Sequence, residues 1–493
     1  MKKKTLLITG RTAAEELRNF GNVVICPLDV ASLLTPNLIL KELRKKNLKG
    51  VSRIIVPGSI LGDVSLITKK LGIPCFKGTK HFSDLPLILD SKVKLSSKIP
   101  ADDLIAKEKK EKTEKLLEKF HKRKKGHMKI GNLTLDGAPY VIAEIVDAPK
   151  LSKKHLLERA EYYIKSGADV LDIGMISGED NSKKINKIVR ILRKFAIPLS
   201  VDTLNKNEIL TATNSGVDLI LSLDETNYQV AEKIKIPAVV IPRDRNGKVP
   251  KKPDEKIILL KKIIKKLKEE TGFEKIIVDP ILEPLNFGFT ESLSAYIKFR
   301  NENPKVPMLM GVGNVTELFD ADSIGINALL AGIASELKID LIFTPEASVK
   351  SAGSVGELAT AVKMLWLSKK QNQTPKDLGI DLLKLKDKRK IETITTPDEE
   401  KVKTVNVKEK RKFVLDDSHF KIFIKNKKIV VIFYHRKKPK LKFISNNATK
   451  LYREILSRIK IDTSHAAYLG RELMKAEIAL KLGRNYAQDE DLF

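Results

Sequence analysis

The sequence predicts an α/β protein whose centre is a (β/α)8 barrel, with a small α/β domain before it and an α+β domain after it. Three observations predict this. Eight apolar runs follow one another with helical periodicity between most of them, over about 230 residues, the usual size of such a barrel. Four of those runs end in an acid or amide, in LDIG, LSVDT, IIVDP and MGVGN, which places Asp172, Asp202, Asp279 and Asn314 at strand ends. The 493 residues are too many for one core and divide into three blocks separated by polar, charged stretches.

The first block, residues 1–100, opens with the strand TLLITG. It continues with a helix from Ala13 to Phe20, a strand at Asn22–Cys26, a helix at Pro36–Leu48, a strand at Arg53–Pro57 and a helix near Val64–Leu71. Alternating strands and helices argue a small parallel layer. Gly10 and the Pro57-Gly58-Ser59 turn follow strands, where open α/β sheets bind ligands, but no glycine-rich phosphate fingerprint is present. Residues 101–130 are almost all charged and read as a solvated helix or flexible linker.

The second block, residues 131–370, carries the eight runs. They are Tyr140–Val146, Asp169–Met175, Ile197–Thr203, Val217–Leu223, Pro237–Pro242, Lys275–Ile281, Val306–Val312 and Asp340–Thr344. Each is apolar throughout rather than alternating, as expected of strands covered on both faces. Helical segments such as His155–Ser166, Lys183–Phe195 and Ile257–Thr271 lie between them. Residues 371–412 form a polar linker. Residues 413–493 show two or three strands and then two helices, Ala448–Ile459 and His465–Leu482.

Lys and Arg outnumber Asp and Glu by 92 to 62, a net charge of +30. The basic residues are scattered through linkers and helix faces, and aromatics make up 5%, so platforms for stacking bases are scarce. The excess reads as the Lys/Glu/Ile-rich composition of a heat-adapted protein, and nucleic acid is not the expected partner. Cys26 and Cys75 are far apart, and the seven histidines show no metal spacing, so neither a disulfide framework nor a metal site is expected. No run approaches the roughly 20 apolar residues of a membrane span, and the cytoplasm is the expected location.

Strand-end carboxylates suit a ligand rich in N–H donors. An aspartate accepts two parallel N–H bonds from an amidine-like edge, as pterins and guanines present it. Asn314 offers both donor and acceptor, and could follow a ring nitrogen through a change of protonation. Gly311 and Gly313 flank it and allow a ligand close to the backbone. Asp and Thr are also ordinary helix N-caps, so each acid alone could be a cap; four at the strand ends of one barrel argue a site. Arg243 and Arg245 follow the fifth strand and could neutralise a phosphate or a glutamate tail, or simply be solvated. Glu144, Asp224, Glu225, Glu283 and Glu346 also lie near strand ends, and Glu283 could assist proton transfer.

The segments ADVLDIG, IPLSVDT, IIVDPILEPLNFGF and MGVGNVTEL resemble the pterin-binding barrel family, which contains dihydropteroate synthase and the methyltetrahydrofolate:corrinoid methyltransferases. The three-block layout resembles the archaeal dihydropteroate synthase-related proteins. The resemblance implies that Asp202, Asp279 and Asn314 are pterin ligands, that Asp172 supports the mouth, and that Asn314 and Asp279 carry the catalysis. It implies a tetrahydromethanopterin- or folate-type pterin.

Several places depart from dihydropteroate synthases. Their Asn-x-Thr-Pro-Asp-Ser-Phe loop after the first strand is here Glu144-Ile145-Val146-Asp147-Ala148-Pro149. Their Ser-Arg-Lys after the seventh strand is Gly313-Asn314-Val315, their Asn-Asp pair on the fourth is Leu221-Ser222, and their Arg-x-His near the last is Phe343-Thr344-Pro345-Glu346. VDPILEP and GVGNVTEL are closer to the methyltransferase branch, in which the Asn hydrogen-bonds the methyl-bearing ring nitrogen and a reduced corrinoid accepts the methyl. The expected reaction is therefore methyl transfer from N5 of the pterin. Dihydropteroate synthase-type condensation and non-catalytic pterin binding are the alternatives. The stretch from His465 to Leu473 and Tyr486-Ala487-Gln488-Asp489 resemble a domain related to a corrinoid-binding methyltransferase subunit, which implies a corrinoid, on that domain or on a partner protein, with His465 as a candidate ligand. A homo-oligomer is compatible with this reading.

Overall fold

The computed structural model describes residues 5–89, 93–121, 123, 126, 128–386 and 418–492. These fall into two compact units, one up to Lys386 and one C-terminal to it.

The first unit begins with a four-stranded parallel sheet. Its strands are β1 (Thr5–Thr9), β2 (Asn22–Ile25), β3 (Arg53–Val56) and β4 (Cys75–Lys77), in the order β2-β1-β3-β4. Both faces of the central strands β1 and β3 are covered, which is why Leu6–Ile8 and Ile54–Val56 are continuously apolar, while edge strand β2 leaves Asn22 and Ile25 exposed. Leu6, Ile8, Ile54 and Val56 pack on the helices Pro36–Leu43 and Ser65–Leu71 through Ile39, Leu43 and Ile67. Leu7 and Ile55 face the opposite layer with Leu17 and Ile88.

The charged stretch that follows forms the helix Ala106–His121. It is anchored at several points rather than solvated all round. Lys109 Nζ lies 2.7 Å from both Asp84 and Asp102, and Lys112 Nζ lies 2.7 Å from Asp84, whose side chain is fully buried. Thr113 donates to the Leu378 carbonyl at 2.9 Å. Phe120 packs edge-on against Trp366 of the barrel, and the Arg123 guanidinium lies 4.1 Å from the Phe120 ring centre and 4.3 Å from that of Tyr140. The lysines are thus sorted between water and two buried carboxylates, which a charge count does not show. Residues 387–412 of the expected second linker lie outside the described residues, but Gln373 and Leu378 of its first part are buried. Removing Asp84 leaves two ammonium groups without their shared acceptor. We expect Asp84→Ala to lower stability by about 3 kcal/mol, read as the midpoint of denaturant unfolding; an unchanged midpoint would show that the anchor contributes nothing.

Before the barrel comes an antiparallel hairpin of β5 (Met128–Ile130) and β6 (Leu133–Leu135). The barrel strands are β7 (Tyr140–Ile145), β8 (Val170–Gly174), β9 (Leu199–Asp202), β10 (Leu219–Leu223), β11 (Ala238–Val240), β12 (Ile276–Val278), β13 (Leu309–Gly311) and β14 (Leu341–Pro345). All eight expected strands are present, parallel and in barrel order, and a parallel bridge from Val278 to Met308 closes the ring. Inside, Ile142, Val170, Leu219, Val239, Ile277, Leu309 and Leu341 form one cluster with Ile130 and Leu135 of the hairpin. The hairpin therefore stoppers the barrel at the end where the strands begin. The outward strand residues pack on the ring of helices in the largest core of the protein.

The second unit is an antiparallel meander, β15 (Ser418–Lys425), β16 (Lys428–His435) and β17 (Lys438–Ser445), covered by the helices Ala448–Arg458 and Thr463–Leu482. Both turns have two residues at positive φ (Asn426-Lys427 and Arg436-Lys437), the geometry that matches strand twist in tight hairpins. Phe420, Ile422, Val431, Leu451, Leu469 and Leu473 form its core. The Gln488 side chain accepts from Ile422 N and donates to the Phe420 carbonyl, both at 2.8 Å, so it extends the sheet edge. Tyr486 donates to the buried Glu472. His465 sits in the first turn of its helix, its backbone N–H capped by Asp462 and its ring edge-on to Phe420.

Candidate functional site

The strand register builds the site. Glu144 of β7 lies opposite Asp172 of β8, Asp172 lies opposite Ser200 of β9, and Gly174 lies opposite Asp202. A β-carbon on Gly174 would run into the Glu144 carboxylate, so glycine there makes the space that Glu144 fills. Carboxylate oxygens of Glu144, Asp172 and Asp202 lie within 4.8 Å of one another.

Asp172 is fully buried. One of its oxygens accepts from the Ser200 hydroxyl at 2.6 Å, and the other has no hydrogen-bond partner among the described residues. Burial, then the Asp202 and Glu144 charges, hold the Asp172 carboxyl well above the usual range. Burial followed by Asp202 pushes Glu144 up to about 8. Burial followed by Asp279 pushes Asp202 up to about 7. Asp279, just past β12, is raised by burial to about 6, with hydrogen bonds from Tyr296 and the Ile281 N–H and the charge of Lys256 working against the rise. None of these four carboxyls forms an ion pair among the described residues, so the site is a set of buried and half-buried acids that all hold their protons more tightly than usual. Such a set favours a ligand that brings N–H donors or positive charge.

Asp279 takes both of those protein hydrogen bonds on one oxygen, from the Tyr296 hydroxyl and from Ile281 N at 2.8 Å. A β-carbon at Gly311 would come within 4.0 Å of the other oxygen, so the glycine leaves room beside it. The loop after β12 is held from behind by Lys256. Its fully buried ammonium donates to the carbonyls of Pro280 (3.1 Å) and Ile281 (2.8 Å) and to Glu283 (3.0 Å). Ile281 has φ +65°, a conformation a β-branched residue adopts only when its surroundings force it.

Asn314 is exposed, in the short helix Gly313–Thr316 that follows β13. Its Nδ2 donates to the Leu282 carbonyl at 2.8 Å, which fixes the amide plane and leaves Oδ1 without a hydrogen bond among the described residues. Asn314 and Asp279 are thus joined through one loop.

The other candidate residues differ from expectation. Gly313 is buried and the Pro345 ring occupies the space its side chain would need, so this glycine serves packing rather than ligand approach. Arg243 donates to the buried Asp224 at 2.8 Å, so part of its charge is already matched, and Gly247 packs against its guanidinium. Tyr296, Ser200 and Lys256 were not legible as site neighbours, because each reaches its partner across the fold.

The absence of His and Cys spacing argued against a metal. An all-oxygen trio drawn from three strands leaves no such spacing, and Glu144, Asp172 and Asp202 could surround a hard cation that displaced their protons.

Comparison with known proteins agrees with the barrel. Residues 145–330 match a family model described as pterin binding enzyme. Residues 416–489 match one named PterinBD-DUF4346, and residues 7–80 match a family of unknown function, DUF6513. Solved structures that the fold resembles include Yersinia pestis dihydropteroate synthase with a pterine-sulfa conjugate. It is 18% identical, with a TM-score of 0.40, over 50% of this chain and 99% of that one. Thermus thermophilus dihydropteroate synthase in complex with 4-aminobenzoate is 17% identical, with a TM-score of 0.39, over 48% of this chain and 98% of that one. The chain is a dihydropteroate synthase-related protein of the pterin-binding barrel class. It belongs to the same family as the uncharacterized protein MJ0107 of Methanocaldococcus jannaschii, to which it is 41% identical over 99% of both chains. Among the described residues no helix is long and apolar enough to cross a membrane.

Proposed function

We propose that the barrel mouth holds a reduced tetrahydromethanopterin- or folate-type pterin and releases its N5 methyl group to a corrinoid acceptor. The observation that carries this reading is the closeness of the Asp172 and Asp202 carboxylates, with Asp279 near enough to raise Asp202, and with no ion pair on any of the three among the described residues. Asp202 and the open oxygen of Asp279 accept the N–H groups of the aminopyrimidinone edge, each charge-assisted bond contributing about 1.5–3 kcal/mol. Asp172 stays protonated behind them and keeps the floor of the site neutral. Asn314, fixed by Leu282, turns Oδ1 toward N5 and accepts a hydrogen bond from it once that nitrogen has taken a proton from solvent. Protonation makes N5 a better leaving group. The methyl carbon then leaves N5, the C–N electron pair stays on nitrogen, and the reduced cobalt supplies the pair for the new bond. The position after β13 favours this over condensation of a pterin diphosphate, because Gly313-Asn314-Val315 there offers no cation.

The test is a titration with tetrahydromethanopterin and its N5-methyl form. Asp202→Ala and Asp279→Ala should each weaken binding about 10- to 100-fold. Asn314→Ala should bind within a few-fold of wild type but lose most of the methyl transfer to cob(I)alamin, followed by absorbance. Wild-type binding by both aspartate variants would remove the site assignment. Binding without transfer would make the barrel a carrier, and dihydropteroate formation would replace the proposed reaction.

A further inference from the structure

We propose that the N-terminal α/β layer has a ligand site of its own, for a flat aromatic or heteroaromatic molecule carrying a single negative charge. The sheet order β2-β1-β3-β4 puts the connections after β1 and β3 on opposite sides, so the chain parts at the carboxyl ends of these two strands. Open parallel sheets bind ligands in that crevice. A cavity of about 370 Å³ lies there, bounded by Thr9, Pro57, Ser59 and Gly78. That is the size of a small-molecule pocket. Gln373, from beyond the last barrel helix, closes one side, and its Oε1 accepts from Ser83 at 3.2 Å. The loops around it approach backbone to backbone: a β-carbon on Gly10 would meet the carbonyls of Leu28 and Asp29 at 2.6 Å.

Two independent features point to an occupant. Thr9 lines this cavity at the end of β1; it is 1% exposed, and its hydroxyl is buried with no hydrogen-bond partner among the described residues. An unsatisfied buried hydroxyl costs about 1–3 kcal/mol, which a polar ligand atom would recover. Lys80 also lines the cavity. Its backbone is fixed by Asp102 at 2.7 Å, while its ammonium has no partner among the described residues.

The chemistry of the walls narrows the ligand. Leu7, Ile55, Val56, Leu17 and Leu85 make most of the lining apolar, and Phe82 with His81, ring centres 4.5 Å apart, adds an aromatic side. His81 Nδ1 accepts from Ser83 N at 3.4 Å, which leaves Nε2–H as a donor. Burial lowers the His81 pKa, so the ring is neutral. Glu16 stands on the wall too, without a partner among the described residues, and it opposes a second negative charge. A nucleoside polyphosphate is disfavoured because the helix after β1 has five residues and no glycine-rich loop precedes it.

The probe is 8-anilinonaphthalene-1-sulfonate, bound to the full chain and followed by fluorescence. One saturable site is expected. Ala31→Leu and Ser59→Leu, which fill the cavity, should weaken it at least tenfold, and Lys80→Met about fivefold. Asp202→Ala should leave it unchanged, which separates this site from the barrel mouth. The uncharged parent, N-phenyl-1-naphthylamine, should bind at least fivefold more weakly than the sulfonate. Thr9→Val should raise the melting temperature of the free protein, whereas a hydroxyl with a structural partner would lower it. Unaltered binding by both cavity-filling variants would overturn the site. Equal affinity for the uncharged parent, or no effect of Lys80→Met, would overturn the anionic part of the assignment.

Discussion

Asp202→Asn should stabilise the protein at pH 8 far more than at pH 5, while weakening pterin binding. The folded Asp202 carboxyl titrates at about 7, against an ordinary value of 3.8. A folded state that holds a proton more tightly than the unfolded chain has its full advantage below the unfolded pKa. It loses that advantage as pH rises toward the folded pKa. Wild type therefore becomes less stable between pH 4 and pH 7, and an asparagine, which cannot ionise, avoids the loss. One pKa unit corresponds to 1.36 kcal/mol, so the advantage of Asp202→Asn should grow by about 2–3 kcal/mol between pH 5 and pH 8. Thermal unfolding of both proteins at the two pH values measures it. An equal shift at both would show that Asp202 is not held protonated. The same variant should lose about tenfold or more in pterin affinity, because it exchanges a charged acceptor for a neutral one. A group that destabilises the free protein and strengthens binding is the pattern expected of a residue kept for function.

Lys256→Met should have the largest effect of any single change behind the site. Its ammonium is the buried donor to two carbonyls and the partner of Glu283. Its removal strands those acceptors and frees Ile281 from a conformation it would not otherwise hold. A loss of about 3–5 kcal/mol is expected. Because Asp279 lies two residues before Ile281 and Asn314 is tied to Leu282, pterin affinity should fall as well, although Lys256 itself does not enter the site. Urea unfolding and the pterin titration measure the two effects. Glu283→Gln keeps an acceptor for the lysine and should cost much less. If Lys256→Met unfolds at the wild-type midpoint, the lysine is not what holds the loop.

The barrel was legible because its strands are covered on both faces, which gives continuous apolar runs at regular intervals. Asp202, Asp279 and Asn314 were legible because each closes or follows such a run, whereas Asp172, expected at a strand end, lies in the middle of β8, where the register with β7 rather than a strand end brings it to Glu144. Three kinds of feature were not legible. β4 is three residues between Pro74 and Gly78, too short for any period, and the strands of the β5–β6 hairpin are also only three residues each, just after a stretch dominated by charge. Side-chain direction was hidden on the helix Ala106–His121, where Lys109 and Lys112 reach Asp84 while Lys110 remains at the surface. Pairings across the fold were hidden as well. The closeness of Glu144 to Asp172 depends on the register of β7 with β8, Tyr296 meets Asp279 from a later helix, and Arg243 meets Asp224 across two strands. The glycines beside Asn314 look equivalent in sequence, yet one adjoins a carboxylate and the other a proline ring.

The hairpin that packs Ile130 and Leu135 beneath the strands turns the barrel into a cup with a single door. On the proposed function, a small heterocycle and its bulkier reaction partner would share that one doorway. Turnover would then be ordered, with the heterocycle seated first, the larger partner capping the rim above it, and the cap lifting before the spent molecule can escape.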